Sequence, residues 1–285
     1  MKPQVITPEL RSWIIDQAKA GCRPEDVLTA MCNSGWQHEV AAEALEATLR
    51  EHLASQGQHQ AFGLPPRVPV PEPQLVGAPN SLWAGDRQVT VLLSMRNPRV
   101  VVFGGFLTDE ECDAMVAAAA PRMSRSETVV NATGGSEVHD ARTSRGMFFG
   151  RGEIPLCERI EQRIAALVHW PIENGEGLQV LHYGAGAEYK PHNDYFDPAQ
   201  PGMTTVLARG GQRVGTLVMY LNTPEQGGGT VFPDVALEVA PIKGNAVFFS
   251  YDRAHPATKT LHGGAPVTAG EKWVATKWLR EGIFV

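Results

Sequence analysis

Apolar residues in positions 1–56 recur every three or four residues, the spacing of one face of an α-helix. Turn signals divide them into three stretches, because Gly21 ends the first, Pro24 opens the second and Gly35 precedes the third. The pattern predicts a small three-helix module. The positions that carry it are Leu10, Ile14 and Ala18, then Val27, Leu28 and Met31, then Val40, Ala44, Leu45 and Leu49.

Six prolines within residues 57–80 interrupt this regularity. Proline fixes φ and donates no backbone N–H, so such density favours an extended segment over a helix or a sheet. We therefore predict a helical module over residues 1–60, a Pro-rich linker over 61–84 and a larger domain over 85–285.

The larger domain contains two predicted helices, one capped by Thr108 and one over residues 154–168. Many short apolar runs bounded by glycine and proline are typical of a sandwich or barrel. The sequence thus predicts an α+β fold with flanking helices on a β core. The predicted strands are 89–93, 100–103, 178–183, 188–194, 214–222, 229–232, 236–240, 245–250 and 272–280.

Composition narrows the class of protein. The 285 residues are 43% apolar, enough for a sizeable core, and the net charge of −6 argues against nucleic acid or an anionic membrane as the main partner. No run of about 18 apolar residues predicts a membrane span. Residues 1–8 lack the apolar core of a signal peptide, and the four cysteines are scattered, so we expect reduced thiols and a cytoplasmic location.

Candidate chemistry lies in the C-terminal half. His192 and Asp194 would leave the same face of a strand, and His262 follows at a distance. A His-x-Asp pair alone is weak, since about one is expected by chance. Two imidazoles and one carboxylate nevertheless suit Fe(II) with open positions. Lys272 shares a face of the last strand with Trp278. If that face points inward, Lys272 meets either a ligand carboxylate or a core acidic residue. The alternative is that the opposite face of this strand points inward.

Residues 178–280 resemble the catalytic domain of the prolyl 4-hydroxylases, within the 2-oxoglutarate- and Fe(II)-dependent dioxygenases. The resemblance implies a double-stranded β-helix, or jelly roll. It rests on ordered stretches that include Val180-Leu181-His182-Tyr183, Tyr189-Lys190-Pro191-His192-Asn193-Asp194, Met219-Tyr220-Leu221-Asn222, Gly227-Gly228-Gly229-Thr230, Leu261-His262-Gly263-Gly264 and Gly270-Glu271-Lys272-Trp273.

The same resemblance implies roles for individual residues, with Fe(II), 2-oxoglutarate and O₂ as cofactor and co-substrates and ascorbate as a further expected ligand. The expected iron ligands are His192, Asp194 and His262. Lys272, with Tyr183 and Thr230 as hydroxyl donors, is expected to bind the distal carboxylate of 2-oxoglutarate. Tyr189, Arg213 and Trp278 are expected to line the substrate side as catalytic-site residues, and Arg142 to belong to a loop over the substrate.

Several alternatives stay open. His255 is a rival to His262, although its place in a polar loop favours a surface histidine. The expected substrate is a peptide or protein containing proline. Collagen is a poor guess, because the peptide-binding and partner regions of animal collagen hydroxylases have no counterpart here. The rivals are the same chemistry on a free amino acid or another side chain, and a metal-independent module that binds proline-rich peptides.

The N-terminal module has its own weak resemblance. Its Ser34-Gly35-Trp36 loop resembles that of ubiquitin-associated three-helix folds. We expect the module either to bind a protein partner or to dimerise, and its tryptophans to pack inside it.

Overall fold

The structure is a computed structural model that describes residues 6–19, 22–56, 64–125, 127–129, 136–138 and 143–285. It divides into two compact units, Met1–Leu64 and Pro65–Val285. No helix of the described residues is long and apolar enough to cross a membrane.

The first unit contains the three predicted helices, α1 (Pro8–Lys19), α2 (Pro24–Asn33) and α3 (His38–Gln56). Their apolar stripes meet in one small core, which confirms the predicted spacing. Trp13 and Trp36 pack against that core while remaining partly exposed. The buried members are Ile14, Val27, Met31, Ala41, Ala44 and Leu45.

The second unit contains the other helices and the strands, which are numbered in chain order. The helices are α4 (Asp109–Ala119), α5 (Pro155–Val168) and α6 (Met203–Leu207). The strands before α5 are β1 (Ser81–Trp83), β2 (Gln88–Met95), β3 (Arg99–Gly104), β4 (Ser124–Arg125), β5 (Glu127–Val129), β6 (Ser136–Val138) and β7 (Arg145–Phe149). Those after it are β8 (Leu178–Tyr183), β9 (Tyr189–His192), β10 (Arg213–Tyr220), β11 (Gln226–Gly227), β12 (Thr230–Phe232), β13 (Leu237–Val239), β14 (Ala246–Ser250), β15 (His262–Gly264), β16 (Val267–Ala269) and β17 (Lys272–Arg280).

A nine-stranded sheet forms the main wall, in the order β1-β2-β3-β14-β10-β17-β8-β7-β4. Its neighbouring strands are antiparallel. Helices α4 and α5 cover one face, where Met115 and Ile160 pack into the same buried cluster as Phe103 and Leu217. Helix α4 begins as predicted, because the Thr108 hydroxyl accepts from the Glu111 N–H and the Glu111 carboxylate accepts from the Thr108 N–H.

A smaller sheet, β13-β12-β15-β9, faces the other side of this wall. Its Phe232 meets Phe249 of the large sheet edge to face, with ring centroids 5.2 Å apart. Side chains of both sheets form the second buried core of the unit. The result is the expected jelly roll, and the site lies between its two sheets.

The Pro-rich segment departs from the predicted linker. From Pro65 onward it belongs to the second unit, and β1 at its end joins the large sheet. Pro71 is buried against Gly215 of β10, where a Cβ would lie 2.6 Å from the proline ring. The N–H of Glu72 donates to the carbonyl of Val168 at 2.9 Å. Proline density excluded a helix, but it did not prevent an extended segment from packing onto the sheet.

Candidate active site

Strand pairing brings the two histidines together. His192 ends β9 and His262 begins β15, and the two residues are direct partners in the antiparallel register. Asp194 lies in the bend just beyond β9. The Nε2 atoms of His192 and His262 lie 3.6 Å and 3.5 Å from the carboxylate oxygens of Asp194. One ligand atom from each of the three residues falls within 4.8 Å of the others, so they could hold a single ion.

Hydrogen bonds of the rings fix which nitrogen faces the centre. The Nδ1 of His192 lies 2.9 Å from the carbonyl of Lys190, and the Nδ1 of His262 lies 2.9 Å from the carbonyl of Thr260. A carbonyl only accepts, so each Nδ1 carries a proton and Nε2 is the ring nitrogen that faces the centre. Tyr189 stacks on His192 with ring centroids 3.8 Å apart, which restricts its rotation.

Burial controls the charges of the cluster. Burial lowers the pKa of His262 to about 4, although the neighbouring Asp194 opposes this, so the imidazole is neutral. Burial alone would raise the pKa of Asp194, but the imidazoles of His262 and His192 and the Arg213 guanidinium outweigh it. The pKa of Asp194 therefore lies below its ordinary value and the carboxylate is ionised. Neutral imidazoles and an ionised carboxylate are the forms that bind a metal.

Lys272 is a buried cation beside this cluster. It is 4% exposed, and burial lowers its pKa to about 8, with Glu238 opposing the shift from a distance. Its ammonium lies 5.5 Å and 5.8 Å from the ring centroids of Tyr183 and Tyr220. Among the described residues it forms no ion pair. A buried ammonium is costly without an anion, so this environment suits a ligand carboxylate.

Hydroxyl groups complete that end of the site. Tyr220 donates to the Oγ1 of Thr230 at 2.8 Å, so the proton of Thr230 is free for another acceptor. Tyr183 is the direct register partner of Lys272.

One small cavity, about 50 Å³, connects the triad with Lys272. Tyr189 and Trp278 lie on its wall together with the three triad residues. The Nε1–H of Trp278 is buried and has no partner within the described part of the chain. An unpaired buried donor is costly, so this group also indicates a ligand with an acceptor atom. The donor set suits Fe(II), and the cationic end suits a dicarboxylate.

Comparison with known proteins identifies relatives of this chain. The family model described as 2OG-Fe(II) oxygenase superfamily matches residues 178–280. Prolyl 4-hydroxylase 2 of Arabidopsis thaliana is 40% identical over 233 residues, which cover 74% of this chain and 75% of that protein. Prolyl 4-hydroxylase 5 of the same plant is 41% identical over 216 residues, covering 68% of this chain and 72% of that protein.

The chain belongs to the prolyl 4-hydroxylase family. It is therefore a 2-oxoglutarate- and Fe(II)-dependent dioxygenase. A solved structure of a viral collagen prolyl hydroxylase from Paramecium Bursaria Chlorella virus-1, in complex with 2OG, is 31% identical to it. That match covers 64% of this chain and 95% of the viral chain, with a TM-score of 0.48.

The fold of the present chain brings most of the predicted site residues together in one place. The cavity wall includes His192, Asp194, His262, Lys272, Tyr183, Thr230, Tyr189 and Trp278. Arg142 lies outside the described residues. His255, the rival ligand, does not join the cluster; its Nδ1 accepts from the N–H of Ala257 at 3.0 Å and caps a short turn.

Arg213 differs from the expectation, because it is not on the cavity wall. Its guanidinium stacks on Trp278, 4.0 Å from the ring centroid. Glu176 binds it through two oxygens, at 2.7 Å from Nε and 2.9 Å from Nη2, and also binds Arg280. Arg213 thus supports the tryptophan from outside the cavity.

Three residues around the site escaped the sequence prediction. Glu176 lies in a loop, where no periodicity marks it. Thr216 and Tyr220 lie on the same face of β10 as the cavity-lining Val218, so the alternation of that strand contained the signal that could have identified them.

Proposed function

We propose that this dioxygenase hydroxylates prolyl residues within peptides, consuming 2-oxoglutarate and O₂ and releasing succinate and CO₂. In this proposal His192, Asp194 and His262 hold Fe(II). The observation that carries it is the occurrence of three convergent metal donors and an unpaired buried ammonium in one cavity. When bound, the Fe(II) centre supplies oxidation of an unactivated C–H bond coupled to decarboxylation of the keto acid.

The residues of the chain act mainly by binding and orientation. Lys272 provides the counter-charge for the distal carboxylate of 2-oxoglutarate, and Thr230 and Tyr183 donate hydrogen bonds to it. The buried setting strengthens these contacts, since few water molecules compete for them. The two histidines and the aspartate would supply three ligands to the metal, so that further coordination positions would remain for the co-substrates.

The substrate side is proposed to include Tyr189 and Trp278. The Nε1–H of Trp278, which has no partner among the described residues, is proposed to donate to an acceptor such as a peptide carbonyl. Arg213 keeps the indole in place by stacking on it. Arg142 remains a proposed residue of the substrate loop.

The test is turnover of proline-containing peptides by the purified chain with Fe(II) and 2-oxoglutarate. We expect succinate and a mass gain of one oxygen atom located on proline, both lost in His192→Ala. Oxygen located on a free amino acid or on another side chain would favour the rival substrates. Peptide binding that survives complete metal removal, with no succinate from any peptide, would favour the metal-independent binding module.

Three finer proposals accompany this one. We propose that ascorbate maintains activity. The succinate assay, run with and without ascorbate, tests this. A cytoplasmic location stays a prediction; the four cysteines are free, as expected in a reducing compartment, and localisation of tagged full-length chain would test it.

The N-terminal module is proposed to bind a protein partner or to dimerise. A groove between α2 and α3 supports this, because Leu28 and Leu49 are only partly buried there and lie beside Glu25 and Glu46. Removing residues 1–60 should change the oligomeric state or the range of proteins captured. If the truncated chain keeps the oligomeric state, the range of proteins captured, the substrate range and the turnover, the module has neither role.

A further inference from the structure

A chain of buried hydroxyl groups leads to the carboxylate of Asp194. The Oγ1 of Thr216, on β10, lies 2.7 Å from the Oδ2 of Asp194 and 2.9 Å from the hydroxyl of Tyr251, which follows β14. Thr216 is 0% exposed, Tyr251 2% and Asp194 5%. The three side chains therefore form one buried hydrogen-bonded unit at the wall of the cavity.

The metal-binding form of Asp194 determines the direction of these hydrogen bonds. A carboxylate only accepts, so the single proton of Thr216 must point to Asp194. The oxygen of Thr216 is then the acceptor for Tyr251, whose hydroxyl must donate. The donor order from Tyr251 to Thr216 to Asp194 is fixed, and each bond polarises the next.

This unit restricts the one metal donor that could otherwise rotate. Each imidazole is already oriented through its Nδ1, whereas a carboxylate can turn about its terminal bond and offer either oxygen or both. The Thr216 hydroxyl occupies a lone pair of Oδ2 and leaves Oδ1 without a hydroxyl partner in the described structure.

We propose that Thr216 and Tyr251 are positioning residues that hold the Asp194 carboxylate in its metal-binding orientation. Thr216 acts on the carboxylate directly, and Tyr251 acts through Thr216. The inference rests on the proposed assignment of Asp194 as a metal ligand.

The test measures binding of Mn²⁺ to the full-length chain by calorimetry, without co-substrate or turnover. Thr216→Val keeps the shape of the side chain and removes its hydroxyl, so we expect metal affinity to fall about tenfold or more, the usual effect of losing a group that orients a ligand. Thr216→Ser keeps the hydroxyl and loses the methyl group, so affinity should stay within about twofold of wild type.

The two variants distinguish positioning from packing. If Thr216 served packing alone, Thr216→Val would bind Mn²⁺ normally and Thr216→Ser would be the weaker of the two, which would overturn the proposal. Tyr251→Phe should lose less affinity than Thr216→Val. The double variant should be no weaker than Thr216→Val, because Tyr251 acts through the hydroxyl already removed.

Two controls complete the design. Thermal unfolding without metal tells whether each variant folds, and should Thr216→Val fail to fold, wild-type affinity in Tyr251→Phe would overturn the proposal by itself. Asp194→Ala tests separately whether Asp194 is a metal ligand. If Asp194→Ala binds Mn²⁺ as wild type does, the ligand assignment fails; if it abolishes binding while Thr216→Val does not weaken it, only the positioning role fails.

Discussion

Two buried lysines on β17 face opposite sides of the large sheet and have opposite electrostatic environments. Lys277 is 2% exposed and its ammonium lies 2.5 Å from Glu161 of α5. Lys272 is 4% exposed and forms no ion pair among the described residues. Both lysines lose hydration, but of the two only Lys277 has an anionic partner among the residues that the structure describes. The difference indicates that the anion for Lys272 comes from a ligand.

The largest expected effect comes from breaking the complete pair. Lys277→Met leaves Glu161 as a buried carboxylate with no cation, so the free energy of unfolding should fall by about 3–5 kcal/mol. Chemical denaturation of the metal-free chain measures it. As a matched control, Lys277→Met combined with Glu161→Met removes both charges and should recover most of the loss. A single variant as stable as wild type would contradict the assigned role of the pair.

Lys272→Met should affect ligand binding instead of weakening the fold. Losing one partner of a buried, hydrogen-bonded charge pair costs about 2–5 kcal/mol, so 2-oxoglutarate affinity should fall at least about 30-fold. Calorimetric titration of the Mn²⁺-loaded chain measures it. The double variant at Lys277 and Glu161 should bind 2-oxoglutarate normally. Equal loss in both variants would mean that the effect is structural.

Removing this charge should also stabilise the ligand-free chain. The folded pKa of Lys272, about 8, lies below its ordinary value of 10.5. The unfolded chain therefore holds the proton more tightly, and the cost of folding is fully present below pH 8 and gone above pH 10.5. At pH 7, Lys272→Met should raise the free energy of unfolding by up to about 3 kcal/mol. Destabilisation comparable with Lys277→Met would show that Lys272 has an internal partner.

The sequence predicted which face of the strand Lys272 occupies, but not which residue Lys277 binds. Alternation along β17 placed Lys272 on the face of Trp278, since period two is a local property of a strand. The partner of Lys277 was not predictable, because Glu161 lies 116 residues away and is brought near only when α5 packs on the sheet. Likewise, resemblance identified the metal donors, whereas the contact between Thr216 and Tyr251 forms only when β10 pairs with β14.

The Pro-rich segment was mispredicted for a related reason. Its composition correctly excluded regular secondary structure over residues 64–80, yet packing of Pro71 depends on the missing side chain of Gly215. Proline content determines what a segment cannot form. It does not determine whether a distant surface has room for it.

The pH dependence of 2-oxoglutarate binding reports the charge of Lys272. The ligand carboxylate requires the charged form of Lys272, so affinity should be flat just below pH 8 and fall by up to about tenfold per pH unit above it. Titrations between pH 7 and pH 10 measure this. Lys272→Arg provides the control, because arginine remains charged across the range and its affinity, whatever its absolute value, should not follow the same curve.

The smallest expected effect concerns Glu238, the acidic residue whose charge acts on Lys272 from a distance. Glu238 is exposed, so water screens its interaction with the ammonium. Glu238→Gln should lower the pKa of Lys272 further, start the loss of 2-oxoglutarate affinity at a lower pH, and change affinity at pH 7 by less than about tenfold. Stability should hardly change, in contrast to Glu161→Gln, which leaves Lys277 without its anion. If the two glutamine variants destabilise the chain equally, Glu238 is a true partner of Lys272, and the ligand is no longer needed to account for that buried charge.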